Sequence, residues 1–105
     1  MAAYTIEHKE KQCWVVLQGD LTASLIPDLQ KELKNHLEKG VDEAVFDLRN
    51  TIMLDSSGIG LLIATCNSLA KKKGTIRVLN VSQDIYRLLQ SMRLVSRLNV
   101  SGQEG

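Results

Sequence analysis

The sequence predicts a single α/β domain on a mixed sheet of four to five strands, with its helices mainly on one face. Three observations lead there. Short β-prone runs alternate with stripes of helical period through most of the 105 residues, the pattern of a sheet with helical crossovers. The first two runs are separated only by a short charged stretch, Lys9 to Gln12, so they form a hairpin and the sheet is mixed. Three helical stripes are too few to cover both faces.

The first strands are Tyr4 to His8 and Cys13 to Gln18, the second closed by Gly19-Asp20. Ser24 is placed to cap the first helix, with Pro27 in its first turn, where a missing N–H costs little. Leu25, Ile26, Leu29, Leu33 and Leu37 form its apolar stripe, Lys31, Glu32, Lys34, Asn35 and Glu38 face away, and Gly40 ends it. Glu43 to Leu48 reads as a core strand. A turn at Arg49 to Thr51 leads through the strand-like run Ile52-Met53-Leu54 into a second helix. Ile59, Leu62, Ile63, Cys66, Leu69 and Ala70 give that helix its buried face. Lys71, Lys72 and Lys73 place positive charge at its negative end, and Gly74 supplies the stop. Thr75 to Leu79 is another strand. Ser82 caps a third helix that carries Ile85, Leu88, Leu89 and Met92 on one face. Arg97 to Val100 makes a short last strand. One domain over residues 1–105 is expected, with a core at about 4–100 and a fraying tail at 101–105.

Composition narrows the function. The chain has 13 basic and 12 acidic residues, mixed along its length, so no polyanion-binding surface is expected. Trp14, Tyr4, Tyr86 and Phe46 are the only aromatics; the core is therefore aliphatic, and their scarcity argues against base stacking on single-stranded nucleic acid. Cys13 and Cys66 sit in apolar segments and read as buried free thiols. His8 and His36 have no Cys or carboxylate neighbours at ligand spacing, so no metal site and no cofactor is expected. Met1-Ala2-Ala3-Tyr4 does not open a signal peptide, and no apolar run reaches membrane-spanning length. A cytoplasmic monomer without membrane insertion is the expectation. Asn80-Val81-Ser82 and Asn99-Val100-Ser101 then match the glycosylation sequon by chance.

The segment with chemical content is Asp55-Ser56-Ser57-Gly58-Ile59-Gly60, where an apolar run opens into a helix. N–H groups at a helix start lack internal partners, and the peptide dipoles add partial positive charge. A serine there can cap the helix; a phosphorylated serine brings nearly two negative charges and three acceptor oxygens to the same amides. Gly58 and Gly60 leave room for a phosphate or a partner's loop. Asp-Ser-Ser-Gly also serves as a plain helix cap with no further role. Serine hydrolysis is disfavoured, because the motif is not Gly-x-Ser-x-Gly, His8 lies on the first strand and His36 on a solvent-facing helix position. Nucleotide binding fails too, since no lysine follows Gly60 until Lys71.

Asp47-Leu48, six further residues and then Asp55-Ser56-Ser57-Gly58-Ile59-Gly60-Leu61-Leu62 closely resemble the signature of STAS domains, the anti-sigma factor antagonists. Gly19-Asp20-Leu21-Thr22-Ala23 is similar to that family's turn before its first helix, and Arg77-Val78-Leu79-Asn80-Val81 with the Leu-rich helix after it also fits. The resemblance spans residues 13–98 or so and implies a STAS-like fold.

It also implies partner switching rather than enzymatic activity. An unphosphorylated antagonist binds a serine kinase of the histidine-kinase-like ATPase class, which otherwise sequesters a sigma factor. Phosphorylation by that kinase releases the antagonist, and a serine phosphatase resets it. Carried onto this chain, the phosphorylated residue is Ser56, and Asp20, Thr22, Asp55, Ser57, Gly58 and Ile59 are the partner-binding positions. Thr22 stands where many relatives have Asp, which keeps a hydroxyl and loses a charge. A second reading keeps the fold but makes the domain a non-switching scaffold or accessory subunit of a signalling or membrane transport complex, with Ser56 only a cap. If the switch operates, the phosphate beside Asp55 should act through charge and bulk at the interface, with little refolding.

Overall fold

Among residues 3–103, which a computed structural model describes, five strands and three helices follow one another. They are β1 (Tyr4–Lys9), β2 (Gln12–Leu17), α1 (Ile26–Glu38), β3 (Glu43–Asp47), α2 (Ser56–Ala70), β4 (Thr75–Val81), α3 (Gln83–Ser91) and β5 (Val100–Gly102). The sheet order is β1-β2-β3-β4-β5, antiparallel between β1 and β2 and parallel thereafter. Each parallel step moves the same way across the sheet, and right-handed crossovers then put every connecting helix on the same face.

Strand burial marks that face. In β2, Cys13, Val15 and Leu17 are buried while Gln12, Trp14 and Val16 are half-buried. The covered side gathers Phe46, Leu48, Ile76 and Val78 with Leu29 and Leu33 of α1, Leu62 and Leu69 of α2, and Ile85 and Leu89 of α3. Among the described residues the opposite side carries no helix, yet Val45 is fully buried there. It lies in register between Trp14 and Arg77. Trp14 Nε1 donates to Gln12 Oε1, Gln12 Nε2 donates to Glu43 Oε1, and Arg77 pairs with Glu43 at 3.9 Å. This chain of polar contacts closes over the valine.

Several expectations are corrected. Ser24 does not cap α1: the N-cap is Leu25, with no side-chain hydrogen bond, and Pro27 is in the first turn. Ile52-Met53-Leu54 is not a strand; only Leu54 makes an isolated bridge, to Leu21. The buried arc of α2 is Gly58, Ile59, Leu61, Leu62, Thr65 and Leu69, with Ile63 and Cys66 half-buried and Ala70 exposed. The arc is rotated because α2 packs against α1 as well as β4. Thr65 tolerates burial because its hydroxyl donates to Leu61 O at 2.8 Å. On α3, only Ile85 and Leu89 are buried, and Leu88 and Met92 are exposed. The last strand forms at Val100–Gly102, so two residues assigned to the tail belong to the sheet.

Ser82 caps α3 as expected, its hydroxyl accepting from Ile85 N, and Gly40 takes the left-handed conformation after α1, with φ 98°. After α2 that conformation falls instead on Lys73, with φ 60°. Gly74 is set by packing, since a Cβ there would collide with the Asp42 carbonyl. The lysine cluster also serves a different helix from the one expected. Lys72 Nζ donates to Leu37 O at 2.7 Å and Val41 O at 2.9 Å, satisfying carbonyls at the C-terminal end of α1.

The two cysteines are unlike. Cys13 is buried in the sheet, and burial pushes its thiol pKa up to about 11. Cys66 is half-buried on α2. A thiol reagent at neutral pH should therefore modify Cys66 in the native protein and reach Cys13 only after unfolding in urea. Peptide mapping after timed labelling checks this; equal labelling rates would contradict the packing of β2.

Candidate functional site

The site is built where two loops meet beyond the C-terminal ends of β2 and β3. Leu21 N donates to Met53 O at 3.2 Å and Asp55 N donates to Leu21 O at 3.4 Å, tying residues 20–23 to residues 52–55. Asp20 reinforces this join. Its Oδ1 accepts from the backbone N–H of both Ile52 and Met53, each at 2.9 Å. Thr51, buried beneath, donates its hydroxyl to Gly19 O at 2.8 Å.

Asp55 is the N-cap of α2. Its Oδ1 accepts from Gly58 N at 2.9 Å, and its Oδ2 accepts from Ala23 N at 3.1 Å. One carboxylate thus starts the helix and holds the neighbouring loop against it. Capping by Asp55 leaves Ser56 as the first helical residue, exposed and outside the cap. The serine-as-cap reading of Ser56 is thereby corrected: a single N-cap position exists, and the residue before it fills that position.

Gly58 has a different reason from the one the sequence suggested. A Cβ at this position would stand 2.5 Å from Leu21 O and 2.8 Å from Leu54 Cδ1. The glycine admits the backbone of the Leu21 loop, whereas Gly60 faces open space. Gly58 and Ile59 are both buried. They support the loop from below instead of offering side-chain surface, because the first turn of α2 directs them into the core. Of the expected partner-binding positions, Asp20 is exposed, and Thr22, Asp55 and Ser57 are half-buried. The Thr22 carbonyl accepts from Leu25 N at 3.0 Å, leading the chain into α1.

Sequence reasoning missed two residues here. Ile52 is 84% exposed and Met53 is 58% exposed, side by side on the loop that runs into Ser56. Three apolar residues in a row, Ile52-Met53-Leu54, look like a strand in the sequence. The available signal was Asp20, a carboxylate whose acceptor atoms suit two consecutive loop amides. Asp20 takes up the loop's N–H groups, and the apolar side chains remain in solvent. No group of three or more His, Cys, Asp or Glu residues that could hold a metal ion is present among the described residues. No helix there is long and apolar enough to cross a membrane.

Comparison with known proteins places this geometry in a family. The STAS domain family model matches residues 3–104. The chain is 28% identical over 87 residues to the anti-sigma-B factor antagonists of Staphylococcus epidermidis and Staphylococcus aureus, covering 83% of this chain and 81% of each relative. Among solved structures, a putative anti-sigma factor antagonist from Thermotoga maritima superposes with a TM-score of 0.85 at 14% identity, covering 92% of this chain and 84% of that one. The anti-sigma factor antagonist SpoIIAA in its unphosphorylated form gives 0.75 at 18% identity, covering 92% and 98%. The phosphorylated Bacillus SpoIIAA gives 0.78 at 20% identity, covering 97% and 92%. With the family match running nearly end to end over a five-stranded mixed sheet and its Asp-Ser-Ser-Gly helix start, the chain belongs to the STAS domain family.

Proposed function

We propose that this chain is an anti-sigma-factor-antagonist-like regulator that works by partner switching. Unphosphorylated, it binds a serine kinase of the histidine-kinase-like ATPase class that doubles as an anti-sigma factor. Phosphorylation of Ser56 releases it, and a serine phosphatase returns it to the binding form. The chain acts as a cytoplasmic monomer and is not itself an enzyme.

The observation that carries this reading is the division of labour between Asp55 and Ser56. Asp55 completes the cap, so the adjacent Ser56 hydroxyl is exposed and has no structural duty. Asp55 in the N-cap position speaks against the scaffold reading, in which Ser56 is mainly a cap. The exposed Ile52 and Met53 beside it offer apolar area for a partner. Asp20 and Thr22 on the loop tied to residues 52–55, with Asp55 and Ser57 at the start of α2, form the polar part of the proposed surface, with Gly58 and Ile59 beneath. A hydrolase is disfavoured because His8 and His36 pair with each other at the opposite end of α1 and supply no base to Ser56. The relatives named anti-sigma-B factor antagonist support the same direction.

The test is the intact mass of the protein isolated from its own cells, followed by phosphopeptide mapping. A single phosphate on Ser56, lost on phosphatase treatment, is the expected result. Absence of phosphate during growth, stress and starvation would leave the domain a non-switching scaffold.

A further inference from the structure

We propose that His8 and His36 form an acid-operated latch: their shared hydrogen bond holds the turn end of the first hairpin against the end of α1, and protonation of both rings opens it. The latch joins segments far apart in sequence. β1 presents His8 opposite Cys13, on the helix-covered side of the sheet, and the last turn of α1 presents His36. The two Nδ1 atoms are 2.9 Å apart, with ring centroids 5.0 Å apart and ring planes at 68°.

The partners fix the proton positions. His8 Nε2 lies 2.9 Å from the Glu10 carbonyl oxygen, which only accepts, so Nε2 carries a proton. In the neutral pair the His8 lone pair is therefore on Nδ1, and His36 donates its Nδ1–H to it. The remaining lone pair is on His36 Nε2. A first proton enters there and leaves the bond intact, now donated by an imidazolium. A second proton has only His8 Nδ1 to occupy. It would set two N–H groups against each other at 2.9 Å, on two cationic rings, so the bond breaks and the rings part. The histidines thus titrate as a coupled pair.

The surroundings set the direction of the response. Burial, then His8 and Lys39, push the His36 pKa below its usual 6.5, and Glu32 opposes them. Tyr4 of β1 lines the same cleft as Asp28, Glu32 and His36; burial and then Glu32 push its phenol up to about 12, so it stays neutral. Cys13, across from His8, also stays neutral, its thiol pushed up to about 11 by burial. From the turn after α2, Lys72 places its ammonium on the Leu37 and Val41 carbonyls. With the His36 pKa lower in the folded chain, the unfolded chain binds more protons as the pH falls. The stability held by the latch is complete above pH 6.5 and is lost below it.

Opening affects one corner of the fold. Lys11 O accepts from Asp42 N at 2.8 Å and from Glu43 N at 3.1 Å, tying the hairpin turn to the loop after α1. In that loop Val41 N donates to His36 O at 3.3 Å. β1 is the edge strand and pairs only with β2. Loss of the histidine bond therefore loosens these contacts while β3 and β4 stay paired.

The test is hydrogen exchange of the full chain by NMR near pH 7.5 and near pH 5, alongside H8Q and H36Q. Rates are expressed as protection factors, which removes the intrinsic effect of pH on exchange. In wild type, protection of the Val41, Asp42 and Glu43 amides should fall about tenfold or more at the lower pH, while Ala44 to Phe46 hold. In each variant those three amides should be equally protected at both pH values. Imidazole ¹⁵N shifts of wild type at the higher pH should place the His36 proton on Nδ1 and the His8 proton on Nε2. Unchanged protection in wild type overturns the proposal, as does a loss that persists in either variant. A His36 proton found on Nε2 at the higher pH overturns it as well.

Discussion

Gly58→Ala should lower the thermal midpoint by about 10 °C, while Gly60→Ala, two residues further along α2, should leave it unchanged or raise it. Both glycines lie in α2, where alanine is intrinsically the better helix former by up to about 1 kcal/mol. Propensity alone would make both substitutions stabilising. Space decides otherwise: a Cβ on Gly58 meets Leu21 O at 2.5 Å and Leu54 Cδ1 at 2.8 Å, and a Cβ on Gly60 meets nothing within 4 Å. One obstacle is backbone, which cannot rotate aside, so Leu21 and its loop must lift away from α2. Overpacking of this kind costs about 1–3 kcal/mol, and each kcal/mol moves the midpoint of a domain this size by about 4–8 °C. The lifted loop would also stretch the bonds from Asp55 to Ala23 and from Asp20 to Ile52 and Met53. Amide resonances of residues 20–23 and 52–58 should shift in Gly58→Ala and not in Gly60→Ala. Equal behaviour of the two variants in thermal melts would refute the packing account of the motif.

Phosphorylation of Ser56 should lower affinity for the partner kinase by about 10²-fold or more, with the fold unchanged. The phosphate adds close to two negative charges beside the Asp55 carboxylate, whose two oxygens are already engaged by Gly58 N and Ala23 N. The dipole of α2 favours the phosphate locally, but the cap is taken, so the group projects into the interface. Repulsion of a few kcal/mol at a desolvated surface corresponds to that loss of affinity. Titration of the captured kinase with phosphorylated and unphosphorylated protein measures the difference. Ser56→Ala should bind and never be released by ATP, whereas Ser57→Ala should still be phosphorylated at Ser56. An affinity change under threefold, or chemical shifts moving throughout the core, would sink this account.

Much of the architecture is written locally and could be read from the chain. The Lys9–Gln12 stretch between two β-prone runs makes a hairpin, Gly40 stops α1, Ser82 caps α3, and Asp-Ser-Ser-Gly marks the start of α2; each rests on neighbours a few residues away. The stripe on α2 was less legible, because burial on a helix wedged between a second helix and a sheet covers more than one face. Thr65 enters the core there by bonding its own helix. What only the tertiary structure decided are the encounters between distant segments. Asp20 meets the amides of Ile52 and Met53, Lys72 meets the carbonyls ending α1, and His36 meets His8. Gly58 belongs to the same class, since its necessity lies in a carbonyl 37 positions earlier. Propensity and periodicity act over one or two turns of chain, so they locate Ser56 at a helix start. Only the packing of that start against the Leu21 loop gives the cap to Asp55 and leaves the Ser56 hydroxyl in solvent.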